Sequence, residues 1–265
     1  MPLSGEASVS WLETMADGAL IVNYGTLGTD PVPDNAEVPL IAWAVSDNIY
    51  GSVAQIWKNI TENRLYKGKA SLRDNKTYPE AMKYLGWCTW EQYHHGINEK
   101  IMIDAFDLIE QSNTPVRWIL IDDGHQIADN RRMVSMKPNK TKFPNGWAPI
   151  VARKKDDKVK WMGIWHTLLM HWNNVSPEHT MQNLAPYLMP QTEKSISKLP
   201  KDNQYIATSA AKAASLIPKD NIKDSKEFYL EFVGMVKGFG LDFIKTDNVS
   251  RSTFEYYGTP KAARA

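Results

Sequence analysis

The feature that most constrains the fold is a strand, a helix and a strand that follow one another between residues 84 and 121. Residues 84–90 form an apolar run that predicts a buried strand opening into a polar, aromatic loop. Apolar residues at helical spacing predict a helix over residues 98–111, and residues 113–115 end it. Residues 116–121 are a second apolar run of strand length. Because a helix joins the strands through short turns, the sequence predicts a parallel pair with a right-handed crossover.

Two more apolar runs extend this pattern. Residues 159–165 predict a third strand. Residues 225–237 predict a helix that leads into a fourth strand at residues 241–247. The stretch 168–220 between the third strand and this helix has no clear period and is rich in Pro, Ser, Lys and Asn, so we expect a long loop there that is functional or mobile.

Each predicted strand ends in polar or aromatic side chains. In chain order these are Trp90 and Glu91, Asp122 and Asp123, Trp165 and His166, and Lys245 and Asp247. In a parallel β/α barrel the active site lies at the carboxyl ends of the strands, which accounts for all four ends together. A doubly wound sheet typically has a Gly-rich phosphate turn after its first strand, and this sequence has none there. We therefore predict an α/β fold that contains the first four strands of a (β/α)8 TIM barrel.

The last predicted strand carries the strongest chemical signal. Side chains alternate along a strand, so Phe243, Lys245 and Asp247 share one face, and the amine and the carboxylate enter one pocket. A neighbouring cation favours the ionised carboxylate, which suits a nucleophile or a metal ligand. The same pair is also compatible with an ion pair that closes a strand. The other three strand ends favour the functional interpretation.

Three parts of the chain follow from this pattern. We interpret residues 1–46 as the end of an N-terminal β-sandwich, because residues 19–26 and 38–46 predict two strands and two strands do not form a stable sheet alone. A hairpin packed on the residues that follow is the alternative. Residues 47–80 are predicted to be a connecting helix and linker. Residues 81–265 are predicted to be the N-terminal half of the catalytic barrel.

Two local expectations concern the segments beside the strands. The connecting helix is predicted over residues 48–63, with Ser46 or Asp47 as its N-terminal cap. Residues 126–157 are predicted to be mostly irregular surface, with a short helix near residues 148–154.

Composition excludes several classes of function. The chain is 43% hydrophobic and 23% charged with a net charge of +1, which argues against a nucleic-acid partner. No apolar run reaches the roughly 18 residues of a membrane span, and no targeting segment is visible. Cys88 is the single cysteine of the chain, which fits a reducing compartment, so a cytoplasmic location is expected. No motif indicates a cofactor.

Five short motifs resemble those of raffinose synthases and the related alkaline α-galactosidases, the seed imbibition proteins. They are Leu-Gly-Trp-Cys-Thr-Trp at 85–90, Ile-Asp-Asp-Gly at 121–124, Lys-Phe-Pro at 142–144, Trp-His at 165–166 and Lys-Thr-Asp at 245–247. Their order and strand context agree, and the resemblance covers roughly residues 38–258. It implies a (β/α)8 barrel preceded by a β-sandwich. It also implies a retaining double displacement on terminal α-galactosides, with galactoside oligosaccharides as substrates.

The resemblance implies roles for six residues at the strand ends. Asp247 matches the nucleophile, and the matching substrate-binding residues are Trp90, Asp122, Asp123, Trp165 and Lys245. His166, which follows Trp165, is a further candidate for substrate binding, and a structural role is equally open for it. The chemistry agrees, because the apolar face of a sugar packs on indole rings and its hydroxyls accept and donate charge-assisted hydrogen bonds. No metal is implied. The resemblance leaves open whether the reaction is hydrolysis, which releases galactose, or transfer of the galactosyl group to sucrose. Both reactions pass through the same glycosyl-enzyme intermediate.

The departures from the family pattern define further expectations. His125 stands where the family usually has Trp, and residues 172–174 replace a more Gly-rich stretch, which puts the substrate beyond the galactose ring in doubt. The acid/base carboxylate of the family lies on a strand after the nucleophile strand, and we find no residue here that replaces it, although Glu91 is testable. We therefore expect this chain alone to be inactive and to need the rest of its barrel, or a partner chain.

Two alternatives come from other classes of protein. A metal-dependent barrel hydrolase would use His166, Asp247 and the pair His94 and His95, although adjacent residues on an extended strand face opposite ways. A non-catalytic sugar-binding or scaffolding protein would also suit the absence of an assigned acid.

Overall fold

The computed structural model describes residues 8–26, 37, 40–191, 215–249, 252, 255–256 and 259–263. The chain divides into two compact units, Met1–Tyr78 with Gly258–Arg264 and Pro79–Tyr257 with Ala265. Within these described ranges, no helix is both long enough and apolar enough to cross a membrane.

The first unit contains an antiparallel hairpin and a helix. Strand β1 (Ser8–Thr14), which the sequence analysis did not predict, pairs with β2 (Leu20–Thr26). Helix α1 spans Ile49–Glu62, a 3₁₀ turn follows at Arg73–Asn75, and a further short helix spans Pro260–Ala263. Whether the hairpin belongs to a β-sandwich stays a prediction.

Two local predictions in this unit need correction. Asn48 caps α1, since its side-chain oxygen accepts the Gly51 N–H at 2.8 Å, whereas the Ser46 hydroxyl donates to the Asn48 carbonyl at 2.7 Å. The predicted strand at 38–46 is also absent from residues 40–46, where Ile41 forms a single bridge. Val38 and Pro39 lie outside the described residues.

The second unit is an α/β structure. Its strands are β3 (Leu85–Cys88), β4 (Val116–Ile121), β5 (Ile127–Asp129), β6 (Arg132–Ser135), β7 (Trp161–Thr167), β8 (Leu188–Pro190), β9 (Leu216–Pro218) and β10 (Phe243–Asp247). Its α-helices are α2 (Trp90–Tyr93), α3 (Glu99–Gln111), α4 (Ala148–Val151) and α5 (Ile222–Gly238). Short 3₁₀ helices lie at Glu80–Lys83, His94–Gly96 and Ala185–Tyr187.

The four predicted strands form one parallel sheet in the order β3, β4, β7, β10. The predicted parallel α/β architecture is therefore confirmed at the level of this four-stranded sheet. Helices α3 and α5 begin at the Asn caps 98 and 221, whose side chains accept backbone N–H groups of the first turn.

One face of the sheet packs on helices, and we call it the helix face. Ile119, Met162 and Ile164 are almost completely buried there, in one cluster with Phe106 of α3 and Phe228 of α5. Burying each such side chain stabilises the fold by about 1.5–3 kcal/mol, so this cluster holds the helices against the sheet.

The opposite face, here called the inner face, carries aromatic rings near the amino ends of its strands. The rings of Trp118 and Phe243 meet edge to face at 5.7 Å between centroids. They lie directly over two strand glycines, because a Cβ on Gly86 would be 1.9 Å from Trp118 and one on Gly163 would be 2.1 Å from Phe243. Glycine at these positions lets the two rings pack directly on the strand backbone. The polar side chains lie at the other end of the strands, the carboxyl end.

The connections hold elements that the sequence analysis missed. β5 and β6 form a hairpin inside the segment predicted to be irregular, and its turn residues Asn130 and Arg131 have φ values of 46° and 61°. Such left-handed turns usually carry Gly, so Asn-Arg gave no turn signal. β8 pairs with β9 inside the predicted long loop, of which residues 192–214 lie outside the described part.

Strand β7 spans Trp161–Thr167, whereas residues 159–165 were predicted. Its pairing with β10 aligns Lys245 with Trp165 and Asp247 with Thr167. The strand alternation therefore continues past Trp165 through the next residue, His166.

Candidate active site

An ion pair joins the carboxyl ends of β4 and β10 on the inner face. Lys245 Nζ donates to Asp122 Oδ2 at 2.7 Å, although the two residues are 123 positions apart in the chain. Burial acts to lower the pKa of Lys245, but the hydrogen bond and charge of Asp122, with the charge of Asp247, outweigh it and raise this pKa. The amine therefore stays protonated between two carboxylates.

Asp122 is almost completely buried and has a donor on each carboxylate oxygen. Oδ1 accepts the Asp123 backbone N–H at 2.8 Å, and Oδ2 accepts the Cys88 thiol at 3.3 Å in addition to Lys245. Its own backbone N–H donates to Thr89 Oγ1 at 3.0 Å. Burial raises the pKa of the Cys88 thiol, so the sulfur remains a protonated donor. These hydrogen bonds hold the Asp122 carboxylate in place, so it fixes the position of the Lys245 amine.

Asp247 has a donor on both of its oxygens. Trp165 Nε1 donates to Oδ2 at 3.1 Å, and the Asn248 backbone N–H donates to Oδ1 at 2.7 Å. Burial acts to raise the pKa of Asp247, but these two hydrogen bonds and the charge of Lys245 lower it below its usual value. Lys245 and Asp247 thus lie on the same face of β10. The Asp247 carboxylate is ionised, and the hydrogen bond from the Trp165 indole fixes its orientation.

Trp165 itself is 1% exposed. Its ring lies 5.5 Å from that of Trp172, with a tilt of 37° between the planes. Trp165 therefore acts here as a hydrogen-bond donor to Asp247, and the more accessible neighbouring indole is Trp172.

Asp123 lies next to Asp122 in the chain but has different partners. Its Oδ2 accepts the Trp172 indole N–H at 2.8 Å and lies 3.2 Å from His95 Nε2. The sequence analysis named Trp172 only as a departure from a family pattern and His95 only as a candidate metal ligand. No local spacing could have found this contact, because Trp172 and Asp123 are 49 residues apart.

Trp90 reaches this group through the histidines that follow it. Its ring meets those of His94 and His95 edge to face, at 4.9 and 5.0 Å between centroids. Since His95 lies beside Asp123, the half-buried indole of Trp90 belongs to the rim of the same cluster.

His166 is the predicted site residue that the structure does not bring to the cluster. Because the alternation of β7 continues through it, His166 faces the helix side, with its ring 5.2 Å from Phe232 of α5. Its Nδ1 lies 3.1 Å from the Met170 carbonyl oxygen. Burial lowers the pKa of His166 to about 4, although the hydrogen bond to Met170 acts in the opposite direction. The expectation that His166 lines the pocket is corrected accordingly.

The structure also bears on the metal alternative. In the part of the chain that is described, no three His, Cys, Asp or Glu side chains are arranged to hold a metal ion. The metal alternative requires His166 and Asp247 in one site, but the two residues lie on opposite faces of the sheet.

Residues 41–143 match the family model described as raffinose synthase or seed imbibition protein Sip1. The chain is 22% identical over 206 residues to the probable galactinol–sucrose galactosyltransferase 6 of Arabidopsis thaliana, a match that covers 69% of this chain and 27% of that protein. It is 27% identical over 81 residues to the stachyose synthase of Pisum sativum, covering 31% of this chain and 9% of that protein. The chain thus spans about a quarter or less of these relatives.

Solved structures of GH36 α-galactosidases are also similar. AgaA from Geobacillus stearothermophilus, in complex with 1-deoxygalactonojirimycin, is 16% identical with a TM-score of 0.45, and the match covers 80% of this chain and 28% of AgaA. A second AgaA structure, in complex with raffinose, is 16% identical with a TM-score of 0.42, and covers 68% of this chain and 25% of AgaA.

Proposed function

We propose that this chain, whose residues 41–143 match the raffinose synthase or seed imbibition protein family, binds terminal α-galactosides and carries the nucleophile of a retaining glycosidase or galactosyltransferase. The observation that carries the proposal is the cluster of Asp122, Lys245, Asp247 and Trp165 at the carboxyl ends of a parallel sheet. This edge is where barrel enzymes hold their catalytic groups.

We propose the complete fold to be a (β/α)8 barrel. The strand order β3, β4, β7, β10 follows the order of the chain without reversal. A barrel adds its strands in this way, whereas a doubly wound sheet reverses direction at a switch point.

Asp247 is the proposed nucleophile. One carboxylate oxygen attacks the anomeric carbon while the bond from that carbon to the leaving oxygen breaks, giving a covalent glycosyl-enzyme intermediate. The lowered pKa of Asp247 keeps the attacking form populated. Its hydrogen bonds from Trp165 and Asn248 hold the carboxylate in one orientation before the sugar arrives.

The other residues of the cluster are proposed to bind the sugar. Lys245, which is partly exposed and stays charged, donates to a ring hydroxyl beside the nucleophile. Asp122 holds that amine in place, and Asp123 accepts from further hydroxyls. Trp90 offers an apolar face at the rim.

Protonation of the leaving oxygen requires a second carboxyl group, which in retaining enzymes lies about 5–5.5 Å from the nucleophile. We assign this role to none of the described residues. We propose that the acid lies on a later strand of the barrel, in the rest of the polypeptide or in a partner chain. Hydrolysis and transfer to a second sugar both remain compatible with the cluster.

An activated substrate tests the nucleophile independently of the acid. In a fluorinated α-galactosyl fluoride, fluoride leaves without protonation, so attack by Asp247 should give a covalent galactosyl adduct on this chain. Mass spectrometry of protease digests should locate the adduct on the peptide that contains Asp247, and Asp247→Asn should abolish it.

The outcomes separate the candidate functions. An adduct on another residue would contradict the assignment of Asp247 as the nucleophile. If the wild-type protein binds galactose in calorimetry but forms no adduct, a sugar-binding protein without turnover is favoured instead. Absence of both adduct and binding would contradict the proposed function as a whole. Lys140→Gln, a charge change at an exposed position, serves as the control and should behave like wild type.

A further inference from the structure

A second cavity adjoins the proposed galactoside site at Asp123. Its volume is about 280 Å³. Its lining includes His95, Asp123, Gln126, Arg131, Lys142 and Trp172. They come from the 3₁₀ helix at His94–Gly96, from the segments after β4 and β7, from the hairpin β5–β6 and from the chain that follows it.

Two neighbouring indoles connect this cavity with the nucleophile. Trp165 donates to Asp247 at 3.1 Å, and Trp172 donates to Asp123 at 2.8 Å. The two rings lie 5.5 Å apart between centroids. Because each indole holds one carboxylate, an occupant of the cavity at Trp172 would lie next to a sugar ring bound at Asp247.

The backbone of the cavity is fixed before any ligand binds. Arg131 is held in the left-handed region at the tip of the hairpin, a strained conformation for a residue other than Gly. The Asn173 backbone N–H donates to the Arg131 carbonyl at 2.8 Å, and Asn173 Nδ2 donates to the Asn130 carbonyl at 2.8 Å. These bonds tie the hairpin tip to the residue that follows Trp172, so Arg131 and Trp172 keep their positions relative to each other.

The chemistry of the lining suits a neutral polyhydroxylated ring. Gln126 is nine-tenths buried, and its Oε1 accepts the Gly124 N–H at 2.9 Å, which fixes this part of the lining. Arg131 and Lys142 add cationic donors, Asp123 adds an acceptor, and Trp172 adds an indole. The carboxylate disfavours an anion and the two cations disfavour a cationic ligand, whereas sugar hydroxyls use donors and acceptors together.

We propose that this cavity binds the second sugar ring of the reaction, the ring that leaves with the glycosidic oxygen or accepts the galactosyl group. Arg131 and Trp172 are then its specificity-determining residues. This inference rests on the proposed function, since it assumes that galactose binds beside Asp247. It also gives a role to Trp172 and Asn173, two of the residues at which the chain departs from its family pattern.

Calorimetry with two sugars tests the proposal on the full chain. Galactose probes the first site alone, and raffinose, in which galactose is linked to sucrose, probes both. Arg131→Gln should weaken raffinose binding about tenfold because it removes a charged donor, and should leave galactose binding unchanged. Ala128→Phe, which fills the cavity from another lining position without a change in charge, should have the same selective effect.

Three controls make the outcome specific. Lys140→Gln removes the same charge from an exposed residue outside the lining and should change neither affinity. Thermal unfolding of each variant shows whether the fold is kept, and Arg131→Lys should restore part of the raffinose affinity.

Two results would overturn the inference while the proposed function survives. In the first, the protein binds galactose but neither cavity variant changes the affinity for raffinose. In the second, the cavity variants lose affinity for galactose and for raffinose equally. If wild-type protein binds neither sugar, the proposed function fails and the second site fails with it.

Discussion

Replacing Lys245 by Met leaves the Asp122 carboxylate buried without its cation. The Asp122 side chain is 3% exposed and the Lys245 side chain 38% exposed, with 2.7 Å between Nζ and Oδ2. A hydrogen bond to a charged group contributes about 1.5–3 kcal/mol. Because Lys245 is partly exposed, solvent screening reduces this value, and we expect a loss of roughly 1–2 kcal/mol in the free energy of unfolding.

The chain offers a matched control for this substitution. Lys100 pairs with Asp104 at 2.6 Å, but both side chains are exposed, at 83% and 50%. Lys100→Met should therefore change the free energy of unfolding by at most about 0.5 kcal/mol. Urea unfolding followed by tryptophan fluorescence measures both variants, and a double-mutant cycle with Asp122→Asn isolates the pair. Equal effects of Lys245→Met and Lys100→Met, or no coupling to Asp122→Asn, would refute a desolvated ion pair at the site.

Two other perturbations follow from the same structure. Gly163→Ala should destabilise the fold by roughly 2 kcal/mol or more, because its Cβ would lie 2.1 Å from the Phe243 ring, whereas Gly234→Ala on α5 meets nothing within 4 Å and should stabilise by about 0.5–1 kcal/mol. Thermal unfolding distinguishes the two, and equal changes would contradict the packing of the inner face. The pKa of buried His166 is lowered to about 4, so the unfolded chain takes up a proton first as the pH falls. Stability should be full above about pH 6.5 and fall by roughly 1–3 kcal/mol toward pH 4. His166→Gln should flatten this profile in urea titrations, His94→Gln at an exposed position should not, and a profile that His166→Gln leaves unchanged would contradict the assignment.

Local periodicity was sufficient for much of the sheet and the helices. The apolar run 116–121 coincides with β4, and the helical spacing of residues 98–111 coincides with α3 and its Asn98 cap. Both signals depend on contacts within a few residues, so the chain encodes them locally. The same period-two argument predicted that Lys245 and Asp247 share a face, and in the structure the charge of each shifts the pKa of the other.

Local signals failed where pairing between distant strands decides the outcome. The hairpin turn at Asn130 and Arg131 has no Gly, and Asn173 holds it from a loop beyond the next strand of the sheet. His166 was expected in the pocket because it follows Trp165. Pairing of β7 with β10 instead extends the strand to Thr167, and His166 turns to the helix face.

By itself, the sequence determined the succession of strands and helices, the chemical groups at the strand ends and the likeness to a galactoside-processing family. These properties lie in neighbouring residues, whose spacing and side-chain types act over one or two turns of backbone. Only the tertiary structure decided three hydrogen bonds: Lys245 donates to Asp122, Trp165 donates to Asp247 and Trp172 donates to Asp123. Each contact joins residues more than 45 positions apart, and sheet register and loop packing, which no local pattern specifies, bring them within hydrogen-bonding distance.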